Sequence, residues 1–284
     1  MIVLFPKIVR FLFSLWCVAS AAEEQWTISS GGTDVPFKAW QECGYEVGAG
    51  VLVLVPGYNG NGELMMDGRW RDFAEKNDLL LLAATFKAEG SENNHGKGYY
   101  YPEQGSGKIL EEGIAEAGRR YGVQTEKVLF FGFSAGAHVS HRFALWKPER
   151  VAAYVAYSAA WWSEPTVRMR EVPALIMCGE EDPRYEASLG FFRKGRILGA
   201  PWIWRSYKDT GHVLTPAVRT MAEAFLAYHA AKLKGLAAND WKEPVPLYGD
   251  IQGYGVSAEK DKVAEEFRVT LPSEEIADVW RREK

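Results

Sequence analysis

The chain has 284 residues, of which 47% are hydrophobic and 25% charged, with a formal net charge of −4 and a pI near 5.8. That much apolar material suits one large core with additions. No block of five or more basic residues occurs, which argues against nucleic acid as a partner.

The first 22 residues read apart from the rest. Lys7 and Arg10 precede an apolar run from Phe11 to Ala19, and the small residues Ser20-Ala21-Ala22 follow. This is the layout of a secretory signal peptide cleaved after Ala22, and its apolar run is short for a membrane span. The expectation is therefore a secreted or periplasmic protein with no stable membrane anchor after cleavage. Cys17 lies inside the segment with no lipobox-like small residue before it. An antiparallel hairpin over about Trp26–Tyr45 is expected next, capping one edge of a sheet.

From there, buried strands alternate with helices. Gly50–Gly57, Asp78–Thr85, Lys127–Phe133, Val151–Ser158, Pro173–Gly179 and Pro201–Tyr207 are continuous rather than alternating apolar runs. Strands covered on both faces read this way, which implies parallel pairing. Helical patterns occupy Leu64–Asn77, Gly107–Tyr121, Ala135–Trp146, Arg184–Leu198 and Pro216–Lys234. The predicted fold class is α/β, a mostly parallel twisted sheet with helices on both faces. The main domain is expected over 23–235. Residues 236–284 break the alternation and read as an extension packed on that domain by Trp241, Tyr248, Tyr254 and Trp280. Ser273 should cap a last helix, Glu274–Arg282.

Cys43 and Cys178 remain outside the leader. Export permits a bridge, but Cys178 ends a buried strand, so a disulfide and a buried thiol both stay open. Two cysteines without clustered histidines make no metal site.

The chemistry gathers around "FFGFSAGAHVSHR", where Ser134 sits in a G-x-S-x-G motif between a buried strand and a helix. A serine on such a strand-to-helix turn exposes its hydroxyl on strained backbone. It needs a base to take its proton and an acid to orient the base. Of five histidines, His138 and His141 lie on the helix that Ser134 opens, His229 lies late in another helix, and His95 lies in a Gly/Asn-rich loop. His212, in "KDTGHVL" after the last strand, is the candidate base. For the acid, Asp182 in "CGEEDPRY" competes with Glu180, Glu181 and Asp209; its place after a strand and just before a helix favours it. The order Ser134, Asp182, His212 is the α/β-hydrolase order. An oxyanion would need two backbone N–H donors. Ala135 offers one, and Tyr58 in the glycine-rich loop "PGYNGNG" the other. No G-K-[ST] follows that loop, so it does not read as a nucleotide cradle.

On the segments "VLVLVPGY", "VLFFGFSAGAHVSHRFALW", "CGEEDPR" and "TGH", the chain resembles the α/β-hydrolase superfamily. More narrowly it is similar to secreted esterases akin to polyhydroxybutyrate depolymerases and feruloyl esterases, over about Val51–Ala230. The resemblance implies hydrolysis of a carboxylic ester through an acyl-enzyme, without a cofactor. The family's usual His before the oxyanion-loop glycine is Pro56 here, so an oxyanion site rests on backbone donors. Tyr99, Tyr100, Trp161 and Trp162 are candidate substrate-binding aromatics. The expected partner is a small or polymer-linked ester, such as a wall polysaccharide ester or a polyester. A secreted peptidase on the same fold, a carbohydrate-binding protein without catalysis, and any oligomeric state stay open.

Overall fold

Apolar runs that bury both faces of a strand need helices above and below them. A computed structural model, which describes residues 22–42, 50–88 and 98–282, supplies that arrangement. The hairpin β1 (Ala22–Ser30) and β2 (Thr33–Gln41) leads into β3 (Gly50–Val55), α1 (Gly62–Met65), α2 (Gly68–Lys76) and β4 (Leu79–Ala84). Then follow α3 (Ser106–Tyr121), β5 (Val128–Phe133), α4 (Ala135–Trp146), β6 (Val151–Tyr157) and β7 (Ala174–Gly179). The main sheet ends with α5 (Tyr185–Ile197), β8 (Trp202–Tyr207) and the long α6 (Pro216–Ala238).

The eight strands lie in the order β1-β2-β4-β3-β5-β6-β7-β8. β2 runs antiparallel to both neighbours, and every pairing from β4 to β8 is parallel. All residues of β4 and β7 are buried, as two-sided coverage requires. Ion pairs tie α2 to α6 on one face, where Arg69 meets Glu223 at 2.6 Å. On the other face Lys147, at the C-cap of α4, reaches Glu111 of α3, and His141 of α4 packs on Phe191 of α5. The strand order reverses beside β3, so the loops after β3 and β5 open at one carboxyl edge of the sheet.

Two expectations need revision. The helix read over Leu64–Asn77 is two helices, because the Asp67 carboxylate accepts the Trp70 N–H at 3.0 Å and caps a fresh start. The extension is more than an irregular strap: β9 (Leu247–Asp250), β10 (Val256–Ser257) and β11 (Arg268–Leu271) form a small antiparallel sheet before α7 (Glu274–Arg282). Strands of two to four residues are too short to show a period. Ser273 caps α7, accepting the Ile276 N–H at 3.2 Å. α6 itself runs to Ala238, across the boundary expected at 235. Cys178 is a buried free thiol, and burial pushes its pKa up to about 11; Cys43 lies outside the described residues. Among the described residues no helix is long and apolar enough to cross a membrane.

The extension also closes the sheet. β8 is an edge strand, whose unpaired backbone groups would otherwise template aggregation. The Trp280 indole donates to the Trp204 carbonyl at 2.8 Å, and the Tyr254 hydroxyl accepts the Ser206 N–H at 2.9 Å. Trp280 is wholly buried, and its ring packs against Gly249 and Tyr254. In urea denaturation, Trp280→Phe should cost about 1–2 kcal/mol for the lost hydrogen bond. Trp280→Ala should cost about 3–5 kcal/mol and make the protein aggregate. Wild-type stability in both variants would show that the edge is not held this way.

Candidate active site

Ser134 begins where β5 has to turn back into α4. Its backbone sits at φ 56°, ψ −111°, a conformation L-residues rarely adopt. A Cβ at Gly136 would overlap the Val55 carbonyl, and one at Gly132 would overlap the Gly136 backbone, so only glycine at both positions lets the turn close against β3. The Ser134 N–H donates to the Tyr157 carbonyl at 2.9 Å, and its own carbonyl accepts from Ala137 and His138. These bonds hold the hydroxyl at the sheet's edge.

The structure brings the three predicted side chains together. His212 Nε2 lies 2.9 Å from Ser134 Oγ, and His212 Nδ1 lies 2.6 Å from Asp182 Oδ2. With Nδ1–H given to the carboxylate, Nε2 is left to accept the serine proton. The histidine ring stacks on Phe133 at 4.9 Å. Its loop is pinned where the Tyr157 hydroxyl donates to the Val213 carbonyl at 2.8 Å.

The Asp182 side chain is fully buried, and its second oxygen accepts the Arg184 N–H at 3.0 Å and the Arg184 guanidinium at 3.1 Å. Burial alone would raise its pKa. The hydrogen bonds from His212, the Arg184 backbone, the Ser158 hydroxyl and the Arg184 side chain outweigh burial and hold the carboxyl below its ordinary value. The loops that carry Asp182 and His212 are also joined through backbone: Glu181 N–H donates to Thr210 O at 3.0 Å. Of the competing acids, Glu180 accepts from Ser206 at 2.7 Å, and Asp209 occupies a left-handed turn.

The loop after β3 lies beside the serine. A Cβ built on Gly57 would stand 3.7 Å from the Ser134 Cβ, which brings the Tyr58 backbone alongside. Asn59 takes a positive φ and accepts the Ala88 N–H at 2.8 Å, while Thr85 accepts the Gly62 N–H at 2.9 Å. Ala135 opens α4, where first-turn N–H groups point out of the helix.

Of the four aromatic candidates, Trp161 presents its ring to solvent, at 46% exposure. Tyr99 and Tyr100 are buried, Tyr99 stacked on Phe86 and Tyr100 against His138. Trp162 turns inward to stack on Phe191 at 4.2 Å. Sequence reasoning missed Ser158, Arg184 and Phe133. The serine that ends the apolar run "VAAYVAYS", directly after the strand beside β5, is a signal that could have found the first. His95 lies outside the described residues. His229 is buried among Phe225 and Tyr228, with its pKa lowered by burial to about 3.

No protein-family model and no curated protein matches the sequence. Solved structures do match. A ferulic acid esterase superposes with a TM-score of 0.55 at 15% identity, covering 76% of this chain and 96% of its own. An S-formylglutathione hydrolase from Agrobacterium tumefaciens gives 0.57 at 17%, covering 75% and 96%. A hyperthermophilic esterase from the archaeon Pyrobaculum calidifontis gives 0.56 at 14%, covering 76% and 86%. With the strand order, these likenesses identify the α/β-hydrolase fold.

The depressed pKa of Asp182 has a consequence for stability. The unfolded chain binds that proton more readily, so the carboxylate stabilises the fold above the ordinary carboxylate range, and this is lost as pH falls through the lowered value. Asp182→Asn should therefore be less stable than wild type at pH 7, with the gap closing below about pH 4. Urea titrations at several pH values measure it. A gap that stays constant with pH would refute the assignment.

Proposed function

We propose that the chain is a serine hydrolase that cleaves carboxylic esters through an acyl-enzyme. The observation carrying this reading is the continuous hydrogen-bonded chain from Ser134 through His212 to Asp182, built on a strained turn. Ser134 Oγ attacks the ester carbonyl as His212 Nε2 takes its proton. Asp182 fixes the ring and stabilises the imidazolium without taking a proton itself. The tetrahedral oxyanion is held by the N–H groups of Tyr58 and Ala135. Its collapse releases the alcohol, protonated by His212, and leaves an acyl-serine. Water then repeats the sequence and frees the acid, so one ester and one water give one acid and one alcohol.

The structural neighbours support the same reading, since they are esterases and an S-formylglutathione hydrolase. We also propose that residues 1–22 direct export and that the enzyme acts outside the cytoplasm on small or polymer-linked esters. In support, Glu23, the first residue after the expected cleavage point, is already ion-paired with Lys38 and Arg71 at the start of β1.

A fluorophosphonate probe tests the reading. Wild type should label covalently and hydrolyse short-chain esters. Ser134→Ala should lose all label, and kcat should fall roughly 10⁴- to 10⁶-fold in both Ser134→Ala and His212→Ala. Equal labelling of wild type and Ser134→Ala would overturn it.

A further inference from the structure

Besides Ser140, the helix that Ser134 opens buries three large polar side chains where a core helix would carry aliphatic ones. His138 is 3% exposed, His141 0% and Arg142 4%. Burying them is costly unless their hydrogen bonds are needed. His138 Nε2 accepts the N–H groups of Ala160, at 2.9 Å, and Trp161, at 3.0 Å. His141 donates from Nδ1 to its own helix at Ala137 O and accepts the Ser163 N–H at 3.2 Å. Arg142 donates to Trp161 O at 2.8 Å, Ser163 Oγ at 2.9 Å and Tyr100 O at 3.1 Å, and lies 4.0 Å over the Tyr101 ring. All the inter-segment bonds of this trio run to two loops, residues 99–101 and 160–163.

The segment so held has a particular result. Its two tryptophans point opposite ways: Trp162 stacks inward on Phe191, while Trp161 stacks on His138 at 5.3 Å and 22° and leaves about half its surface open. A residue whose backbone N–H and carbonyl are both held and whose ring is stacked on one face has less rotational freedom to lose on binding. His138, on which Trp161 stacks, lies one helical turn along α4 from Ser134. Tyr58 and Val213, the residues that follow Gly57 and His212, are likewise more than half exposed. Exposed apolar side chains thus lie on the loops that follow β3, β6 and β8, at the sheet edge that carries Ser134.

We propose that Trp161 is the specificity-determining platform for a flat face of the ester substrate, and that His138 and Arg142 are positioning residues that hold it. The proposal rests on the serine-ester reading. An acceptor at position 138 is what the geometry demands: both N–H groups point at Nε2, so the ring works as a neutral acceptor. Burial, with Arg142 nearby, pushes its pKa well down and keeps it neutral. A leucine there would fill similar space but leave two part-buried donors without their acceptor, whereas glutamine can still accept.

The test compares kcat/KM for two flat esters, methyl cinnamate and 1-naphthyl acetate, with that for methyl butyrate, in full-length variants. Trp161→Ala should lower the flat-to-aliphatic ratio about tenfold for at least one flat ester, mainly through KM. His138→Leu should lower the same ratio severalfold, and His138→Gln should recover most of it. A ratio unchanged in Trp161→Ala overturns the platform. A His138→Leu variant that loses both ester classes equally, or that His138→Gln does not rescue, overturns the positioning role. If His138→Leu fails to fold, the ratio in Ser163→Ala, which removes one Arg142 contact, takes its place and should fall at least twofold. Failure of the serine-ester reading is recognised separately, by wild type that takes no fluorophosphonate label.

Discussion

The Ser134 turn is where the sheet and its chemistry meet. Held at φ 56°, it stores roughly 1–3 kcal/mol of backbone strain. That strain persists because the surroundings leave no alternative. α4 is driven against the end of β3 until Gly136 touches the Val55 carbonyl, and the Tyr157 carbonyl of β6 takes the serine N–H. β3, β5 and β6 run parallel and side by side, so the loops that leave them emerge at one edge around the turn. The glycine loop after β3 and the tryptophan loop after β6 open at the edge that carries Ser134 for that reason.

The proposed acid and base are placed one strand-pair further out, by backbone as much as by side chain. Glu180 and Glu181 N–H donate to Tyr207 and Thr210 carbonyls, which zips the loops after β7 and β8 together. That pairing continues into the extension: Ser206 bonds Glu180 through its hydroxyl and Tyr254 through both its hydroxyl and its N–H. The small sheet and α7 thus cover the β8 edge and also brace the loop two residues before Asp182. A segment whose sequence shows no chemistry of its own is built into the support of the site.

Much of this was legible in the sequence because parallel strands announce themselves. The six apolar runs from Val51 to Tyr207 matched strands to within a residue or two, since two-sided burial leaves no polar alternation to blur them. Ser134, Asp182 and His212 could be picked out as candidates because each lies within five residues of the end of such a run, where the fold has to turn. The small sheet of the extension was not, for its strands carry too few residues to pattern. Nor could sequence separate Trp161 from Trp162: which ring faces out depends on Phe191 offering a stacking partner to one of them. The duties of His138 and His141 were hidden for a similar reason, as their partners are backbone groups some twenty residues away.

The distribution of charge at the site follows from the same burial. His138 and His141 are pushed well down by burial and by Arg142, so the two imidazoles nearest the serine on its own helix stay neutral. Asp182 remains ionised, fully buried and paired with Arg184. His212, whose side chain is 28% exposed, lies between that dry carboxylate and the open hydroxyl. An imidazolium formed there would feel the carboxylate through protein rather than water, where attraction is stronger. Neutral histidines on α4 add no positive charge to compete with it. The helix can therefore carry two extra imidazoles beside the turn without adding charge there: burial has removed their basicity and left their hydrogen bonds.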